Sequence, residues 1–401
     1  MALAFEGIKI LDMSRLPPCS MCTQYFADLG ADVLKIEATA GAGDRAVGWG
    51  SEPSPQKDEE GIRTAAYNTV NRNKKSLGLN LKTPEGRQIF YKLAEKADVV
   101  FEGNRPGATK RLGVDYDTIK KINPRIIYCS LTGYGQDGPY AQFAGHDITY
   151  AATSGVLNLI GEAGKPPTIP LNFVGDLAGG TLHAIIAILS ALVARDKTGK
   201  GQYVDVAITD AAIALLGLLT VYYFQDGLVT QRGTGPFDGK FPDYGSYETK
   251  GGGYIAIGCI EPYFWENLCH ELGVEEFVPC PTKLNRKTAE MRAALKRIFL
   301  TRTKEEWFDL LSAKNIPVAK VYSMDEVFKD PHVLARKMLL DLPHPTLGSV
   351  KQVGFPIKYS ETPMQVRSFA PFYGQNTGET LAGLGYTAAE IDDLRKKGVV
   401  G

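Results

Sequence analysis

The chain has 401 residues, 44% of them hydrophobic and 22% charged, as in an ordinary globular protein. That length exceeds one ordinary core and predicts two domains, or one large domain with an insertion. Lys plus Arg and Asp plus Glu each number 45. The net charge is therefore zero, which leaves no global field to draw in nucleic acid or an anionic membrane. The start, from Met1 to Gly7, lacks a basic stretch followed by an apolar one. The longest apolar run, around Ala207–Tyr223, is interrupted by Thr209, Asp210 and Thr220. A soluble, cytoplasmic protein is expected, with neither membrane nor nucleic acid as partner. Six cysteines are too few for a disulfide scaffold. Cys19 and Cys22 form a C-x-x-C at the start of a helix after a strand, a context that loosely fits a redox pair. A zinc site would need a second pair, and the sequence has none. Two buried or half-buried thiols are the plainer reading, and no metal is expected.

In chain order, Ile8–Met13 reads as a short apolar strand, Cys22–Leu29 as a helix, and Asp32–Glu37 as a strand after the turn at Gly30. The alternation continues with helix Pro84–Lys96, strand Asp98–Glu102, helices Ala108–Leu112 and Tyr116–Ile122, and strand Ile126–Leu131. Such alternation predicts an α/β fold with a doubly wound parallel sheet. Leu182–Arg195 is almost wholly apolar and predicts a helix buried on most faces. Tyr203–Ile208 follows as a strand and Asp210–Tyr223 as another buried helix. After Asp226 the composition shifts. Gly233–Tyr247 is rich in Gly, Pro and aromatics, Gly251–Gly258 reads as a hairpin strand, and helices are expected at Tyr263–Leu272, Lys287–Phe299 and Thr303–Lys314. The predicted organisation is a large domain over 1–225, a small α+β domain over 226–335, and a C-terminal segment over 336–401 with two short helices, Glu379–Leu384 and Thr387–Lys397.

Three segments could carry chemistry. Gly133-Tyr134-Gly135 opens a glycine-rich loop after the strand Ile126–Leu131, where open α/β sheets bind ligands and glycine lets backbone N–H groups approach them. His146, one of five histidines, follows that loop in Gly145-His-Asp-Ile-Thr-Tyr150. Asp176 stands immediately before the apolar helix. It is a natural N-cap there, and equally a carboxylate in an apolar wall whose proton affinity is open to tuning. Gly179 and Gly180 would leave room beside it for a ligand. Two basic clusters, Asn71-Arg72-Asn73-Lys74-Lys75 and Asn104-Arg105-Pro106-Gly107, are either solvated edges or anchors for a ligand carrying several phosphates. Phe237, Phe241, Tyr244 and Tyr247 read as hydrophobic packing, with a pocket for a bulky acyl group as the alternative.

Together these segments resemble the family III CoA-transferases (CaiB/BaiF-like), which share a superfamily with α-methylacyl-CoA racemase. The resemblance runs through GIKILDMSR, FADLGADVLKIE, NRNKKSLGLNLK, EGNRPG, LTGYGQDGPY, GHDITY, GDLAGG, TGKGQYVDVAITDA and the tail GQNTGETLAGLGYTAAEIDDLRKKGVV. It implies a Rossmann-like large domain completed by the C-terminal residues, a smaller domain, and two protomers interlocked like rings. It implies an acyl-CoA thioester and a carboxylic acid as substrates, with no tightly bound cofactor. CoA contacts are implied at Arg72, Lys74, Lys75, Asn104, Arg105, Gly133, Tyr134 and Gly135. Family members often place a basic residue after the K-[IV]-E strand; this chain has Ala38 there.

The resemblance also leaves two chemistries open. In the transferases the residue matching Asp176 attacks the thioester carbonyl, forms an acyl-aspartyl anhydride and releases CoA, with succinyl-CoA as one conceivable donor. In the racemases the residues matching His146 and Asp176 are two bases on opposite faces of the α-carbon, and Glu261 also matches a racemase position. The long connection from Gly43-Asp-Arg45 to Asn71–Lys75, and His183-Ala184 after the glycine pair, favour the transferase. A third reading is a non-catalytic subunit that works with a related chain; the presence of Asp176 argues against it.

Overall fold

The computed structural model describes residues 2–39, 58–235, 237–279 and 288–401. The expected Gly43-Asp-Arg45 segment and the first residue of the expected helix at 287 lie outside these residues.

Six strands form one parallel sheet: β1 (Lys9–Asp12), β2 (Asp32–Glu37), β3 (Lys74–Gly78), β4 (Val99–Glu102), β5 (Ile127–Thr132) and β6 (Gln202–Ala207). Their order is β3-β2-β1-β4-β5-β6, with every neighbouring pair parallel. This is the doubly wound arrangement that the alternation predicts. The order reverses between β1 and β4, so the loops at the carboxyl ends of those strands splay apart into a crevice. β4 and β5 are buried at every residue, as a sheet covered on both faces requires.

The helices follow in order: α1 (Pro17–Asp28), α2 (Glu59–Tyr67), α3 (Pro84–Ala94), α4 (Ala108–Leu112), α5 (Tyr116–Ile122), α6 (Asp147–Thr153), α7 (Val156–Leu159), a π-helix (Phe173–Leu182), α8 (His183–Thr198), α9 (Ile208–Leu215) and α10 (Gly217–Asp226). One face of the sheet is packed by Ile89 and Phe90 of α3 and Ile119 of α5. Phe26 of α1 and Ile188 and Ala191 of α8 cover the other.

The C-terminal residues complete the first face. Beyond an antiparallel pair, β10 (Leu339–His344) and β11 (Gly348–Val353), two helices span Thr377–Gly383 and Ala388–Lys396. Their Leu381, Ile391 and Leu394, with Val399 and Val400, join the core against β3. Backbone N–H of Gly401 donates to Gly78 O at 3.1 Å, and that of Asn80 to Val399 O at 2.8 Å.

The 71–75 segment holds this return in place. Arg72 is 2% exposed, and its guanidinium grips both oxygens of Asp28, at 3.0 and 2.8 Å. The same group donates to Val353 O at 2.9 Å and Gln352 Oε1 at 3.2 Å. Asn73 adopts φ 63°. Its amide bridges Asp28 Oδ1 to Gln365 O, both at 2.7 Å. Lys74 is buried against Asp12 at 3.1 Å, with Ser20 O and Thr23 Oγ1 each at 2.8 Å. Burial, with Lys35 adding like charge, brings its pKa down to about 8 despite the neighbouring Asp12.

The described chain divides into two compact units. The first holds 1–154, 171–215 and 332–401; the second holds 155–170 and 216–331. The second unit builds a three-stranded antiparallel sheet, β7 (Tyr244–Glu248), β8 (Tyr254–Gly258) and β9 (Val318–Lys320). The helices Pro262–Leu272, Thr288–Phe299 and Lys304–Ser312 enclose a core of Tyr247, Trp265, Phe299 and Trp307.

Two helical expectations change. Asp210–Tyr223 is not one buried helix. It is α9 and α10, separated by a short break at Leu216, and α10 buries none of its residues. The Leu182–Arg195 stretch is not buried on most faces. Of α8, only Ala184, Ile188, Ala191, Leu192 and Arg195 are buried, while Ile186 and Val193 face outward. The continuous helix Phe173–Thr198 is long and apolar enough to cross a bilayer by length and composition. Its Ile188 and Ala191 instead pack in the sheet's core.

Removing Arg72 would strand the buried Asp28 carboxylate. Arg72→Ala should cost about 3–5 kcal/mol of stability, whereas Lys75→Ala, which breaks half-exposed pairs to Asp32 and Glu379, should cost about 1 kcal/mol or less. Urea unfolding of both variants checks this; equal midpoints would dismiss the buried pair as the clamp.

Candidate active site

The loop after β5 is fastened from several sides. Gly135 N–H donates to Thr132 Oγ1 at 3.1 Å. Gly133 O accepts from the backbone and side chain of Thr209, at 3.0 and 2.8 Å. Gln136 N–H donates to Asp205 Oδ2 at 3.0 Å. Gly135 takes φ +87°, which side-chain-bearing residues rarely adopt. The ring of Tyr150 lies directly over Gly133 and Gly145, in space that a Cβ at either position would need. Tyr134 meets Tyr150 edge-on at 5.1 Å and Tyr140 at 5.8 Å.

Asp176 sits in the first turn of the π-helix Phe173–Leu182. It is not the N-cap; Asn172 holds that position. π-helical geometry within a helix often marks a functional site, because it presents side chains off the α-helical register. The backbone N–H of Asp176 donates to Asp147 Oδ1 at 2.7 Å. Asp147 reaches it because Gly175 has no side chain; a Cβ there would collide with the Asp147 carboxylate. Gly179 and Gly180 are buried against Ile208 of α9: a Cβ at 179 would lie 3.0 Å from its carbonyl oxygen, and one at 180 would lie 3.2 Å from its side chain. They allow close helix packing rather than opening room for a ligand, which corrects the expectation. Two further bonds hold the segment: Thr181 Oγ1 donates to Pro18 O at 2.7 Å, and His183 Nδ1 meets Ala178 O at 2.8 Å.

The carboxyl of Asp176 is pushed up to about 6. Burial is the largest cause, the Asp147 charge adds to it, and an Asn172 hydrogen bond and His146 pull the other way. His146 is exposed at the N-terminus of α6, its backbone N–H donating to Thr149 Oγ1 at 3.1 Å. Tyr150 feels the charges of both Asp176 and Arg105, and burial with those carboxylate and phenol neighbours pushes it up to about 12. Asp176, His146, Gly133, Tyr134 and Arg105 are thus gathered around Tyr150.

The other expected residues fall differently. Arg72 and Lys74 are consumed in the buried ion pairs described above, so neither is available to a phosphate; this corrects their expected role. Lys75 lies at the sheet edge between Asp32 and Glu379. Asn104 is fixed through its N–H and Nδ2 on Glu102 Oε2, at 2.7 and 3.0 Å. Arg105 is exposed on the loop after β4, at the switch point. Glu261 belongs to the second unit, where it precedes the helix Pro262–Leu272 and its carbonyl accepts from Phe264 and Trp265 N–H, both at 3.1 Å. In that unit Tyr247 is core, while Phe237 and Phe241 line a cavity of about 190 Å³ with Leu218, Tyr222 and Asp243. Cys19 and Cys22 are buried in α1, and burial raises both thiols well above their ordinary value, which suppresses the reactive thiolate. Among the described residues no cluster of His, Cys, Asp or Glu could hold a metal ion.

Sequence reasoning overlooked Asp147 and Tyr150. Both stand in the same short motif as His146, and only the glycines opposite them, Gly175, Gly133 and Gly145, hint that something must approach closely.

A family model described as CoA-transferase family III matches residues 5–377. Succinyl-CoA:glutarate CoA-transferase of Homo sapiens is 34% identical over 98% of this chain and 89% of its own length. Human alpha-methylacyl-CoA racemase is 30% identical over 99% of this chain and 98% of its own. A crystal structure of a CaiB/BaiF family protein from Brucella suis is 30% identical, with a TM-score of 0.79 over 96% of this chain and 100% of that one. The chain belongs to CoA-transferase family III.

Proposed function

We propose that the chain transfers CoA from an acyl-CoA to a free carboxylic acid, with Asp176 as nucleophile and succinyl-CoA as donor. The observation that carries this is the Asp176 carboxylate, held by its backbone beside the glycine loop and brought to a pKa of about 6. At pH 7 it is ionised, yet more basic than an ordinary aspartate. An Asp176 oxygen bonds to the thioester carbonyl carbon, the C–S bond breaks, and CoA leaves as thiolate. The thiolate attacks the aspartyl carbonyl of the resulting anhydride and expels the donor acid. The acceptor carboxylate then attacks the aspartyl-CoA carbonyl, breaking its C–S bond and forming a second anhydride; the released CoA thiolate attacks the acceptor's acyl carbon and expels the free Asp176 carboxylate. The Gly135 N–H is given to Thr132, so the backbone N–H groups of Gly133 and Tyr134 are the ones that would face the oxyanion. Arg105 and Lys75 are the basic residues left to meet CoA phosphates.

A racemase is the second reading, favoured by one observation: His146 lies near enough for its charge to act on Asp176, so two bases share one region. Incubation in D2O with a 2-methylacyl-CoA separates the two. Deuterium entering the α-carbon without an acceptor acid would overturn the transferase.

The family's interlocked homodimer is part of the proposal. Each unit carries exposed apolar residues, Ile186 and Val193 of α8 in the first and Leu218 and Phe224 of α10 in the second, and a second copy would cover them. Sedimentation velocity should give a dimer of about 87 kDa, twice the 43.6 kDa chain; a monomer at micromolar concentration contradicts it.

Asp176→Ala should lower kcat at least about 10³-fold, and hydroxylamine should trap an Asp176 hydroxamate during turnover. His146→Ala should lower kcat less than about tenfold for a transferase and far more for a racemase. Because the anion is the nucleophile and its pKa is raised, kcat/KM should fall about tenfold per unit as the pH drops below about 6. An acid limb near 4, the ordinary aspartate value, would refute the tuned carboxylate.

A further inference from the structure

We infer that Asp147 is a positioning residue for this reaction: its carboxylate fixes the backbone that bears Asp176 and sets a second negative charge beside the reacting one. The inference rests on Asp176 carrying the chemistry. It begins with geometry. Asp147 is the first residue of α6 and is 8% exposed. Its Oδ1 accepts a hydrogen bond from the Asp176 N–H at 2.7 Å, in a gap that only a glycine at 175 leaves open.

The hydrogen bond alone does not explain the charge. A neutral asparagine would accept the same proton, whereas two neighbouring carboxylates in a half-buried site repel one another and disfavour the folded state. What the charge provides is basicity at Asp176. When an Asp176 oxygen bonds to the thioester carbon and the thiolate departs, no proton leaves Asp176, so the reacting species must already be the anion. A pKa of about 6 is close to the highest basicity that still leaves the carboxylate roughly nine-tenths ionised at pH 7.

The groups facing Asp176 from the packed elements are few. From α6 come Asp147, His146 and Tyr150; from the turn before the π-helix, Asn172; from α1, the buried Cys19. Asp147 is the one that opposes the anion most strongly, while His146 and Asn172 stabilise it. The acidic residues of β6 and α9, Asp205 and Asp210, act on each other.

Three variants test this by pH–rate profiles of acyl-CoA turnover. Asp147→Asn keeps the hydrogen bond and removes the charge. Its acid limb should move down by on the order of 1 pH unit, with kcat at pH 7 lowered about three- to tenfold and KM for acyl-CoA changed less than about twofold. Gly175→Ala keeps the charge but pushes the carboxylate away, and should lower kcat more than about tenfold. An Asp147→Asn profile superimposable on the wild type, or a Gly175→Ala enzyme of full activity, would overturn the inference. Asp176→Ala is the control: if it stays active, the reading of the site fails and the role of Asp147 with it, whereas an inactive Asp176→Ala beside an unchanged Asp147→Asn profile overturns the role of Asp147 alone.

Discussion

Much of the fold depends on one buried ion pair. Asp28 at the end of α1 and Arg72 before β3 meet at 2.8 Å with almost no solvent. Burial raises the Asp28 carboxyl, and Arg72, Gln24 and Asn73 hold it back. A charge so deep is tolerated only with its partners complete. The remaining guanidinium donors reach Gln352 and Val353, and Asn73 reaches Gln365 and Arg367. The pair thus ties three stretches of chain that lie far apart in sequence. The segment it anchors, residues 352–367, leads into the last helices, which bond β3 directly through Asn376 and Thr377 and bring Leu381, Ile391 and Leu394 to one face of the sheet.

The active-site region uses a different means, the absence of side chains. Gly133 and Gly145 make space for Tyr150, Gly175 for Asp147, and Gly179 with Gly180 for α9. The π-helix is pressed between α6, α9 and α1, and Asp176 emerges at its start. The carboxylate's proton affinity follows from that packing, because burial is the largest contribution to it.

The parallel sheet was legible because apolar strands alternate with amphipathic helices at regular intervals. The tail's helices were legible too, each starting near Thr377 or Thr387 and ending in glycine or lysine. The basic cluster at 71–75 misled, since charge alone does not tell an anchor for phosphate from one half of a buried pair. Only the position of Asp28, 44 residues away, decides it. The apolar stretches at Leu182–Arg195 and Asp210–Tyr223 read as buried helices because hydrophobicity signals contact without saying with what. The π-helix has no periodicity that a sequence displays, so Asp176 read as a cap rather than as a residue within the helix.

The course of the chain has a consequence for its synthesis. It passes between the two units four times, at 154/155, 170/171, 215/216 and 331/332. Gly78 pairs with Gly401 and Leu79 with Val400, contacts spanning more than three hundred residues. Such closure carries a large entropic cost and is slow. The second unit is nearly contiguous and can fold while the ribosome is still working. The first has all six strands by Ala207, yet one face of its sheet stays uncovered until the residues around 381–400 have been made. A chain lacking the helix Ala388–Lys396 would therefore carry a folded second unit joined to a sheet with part of one apolar face exposed and adhesive.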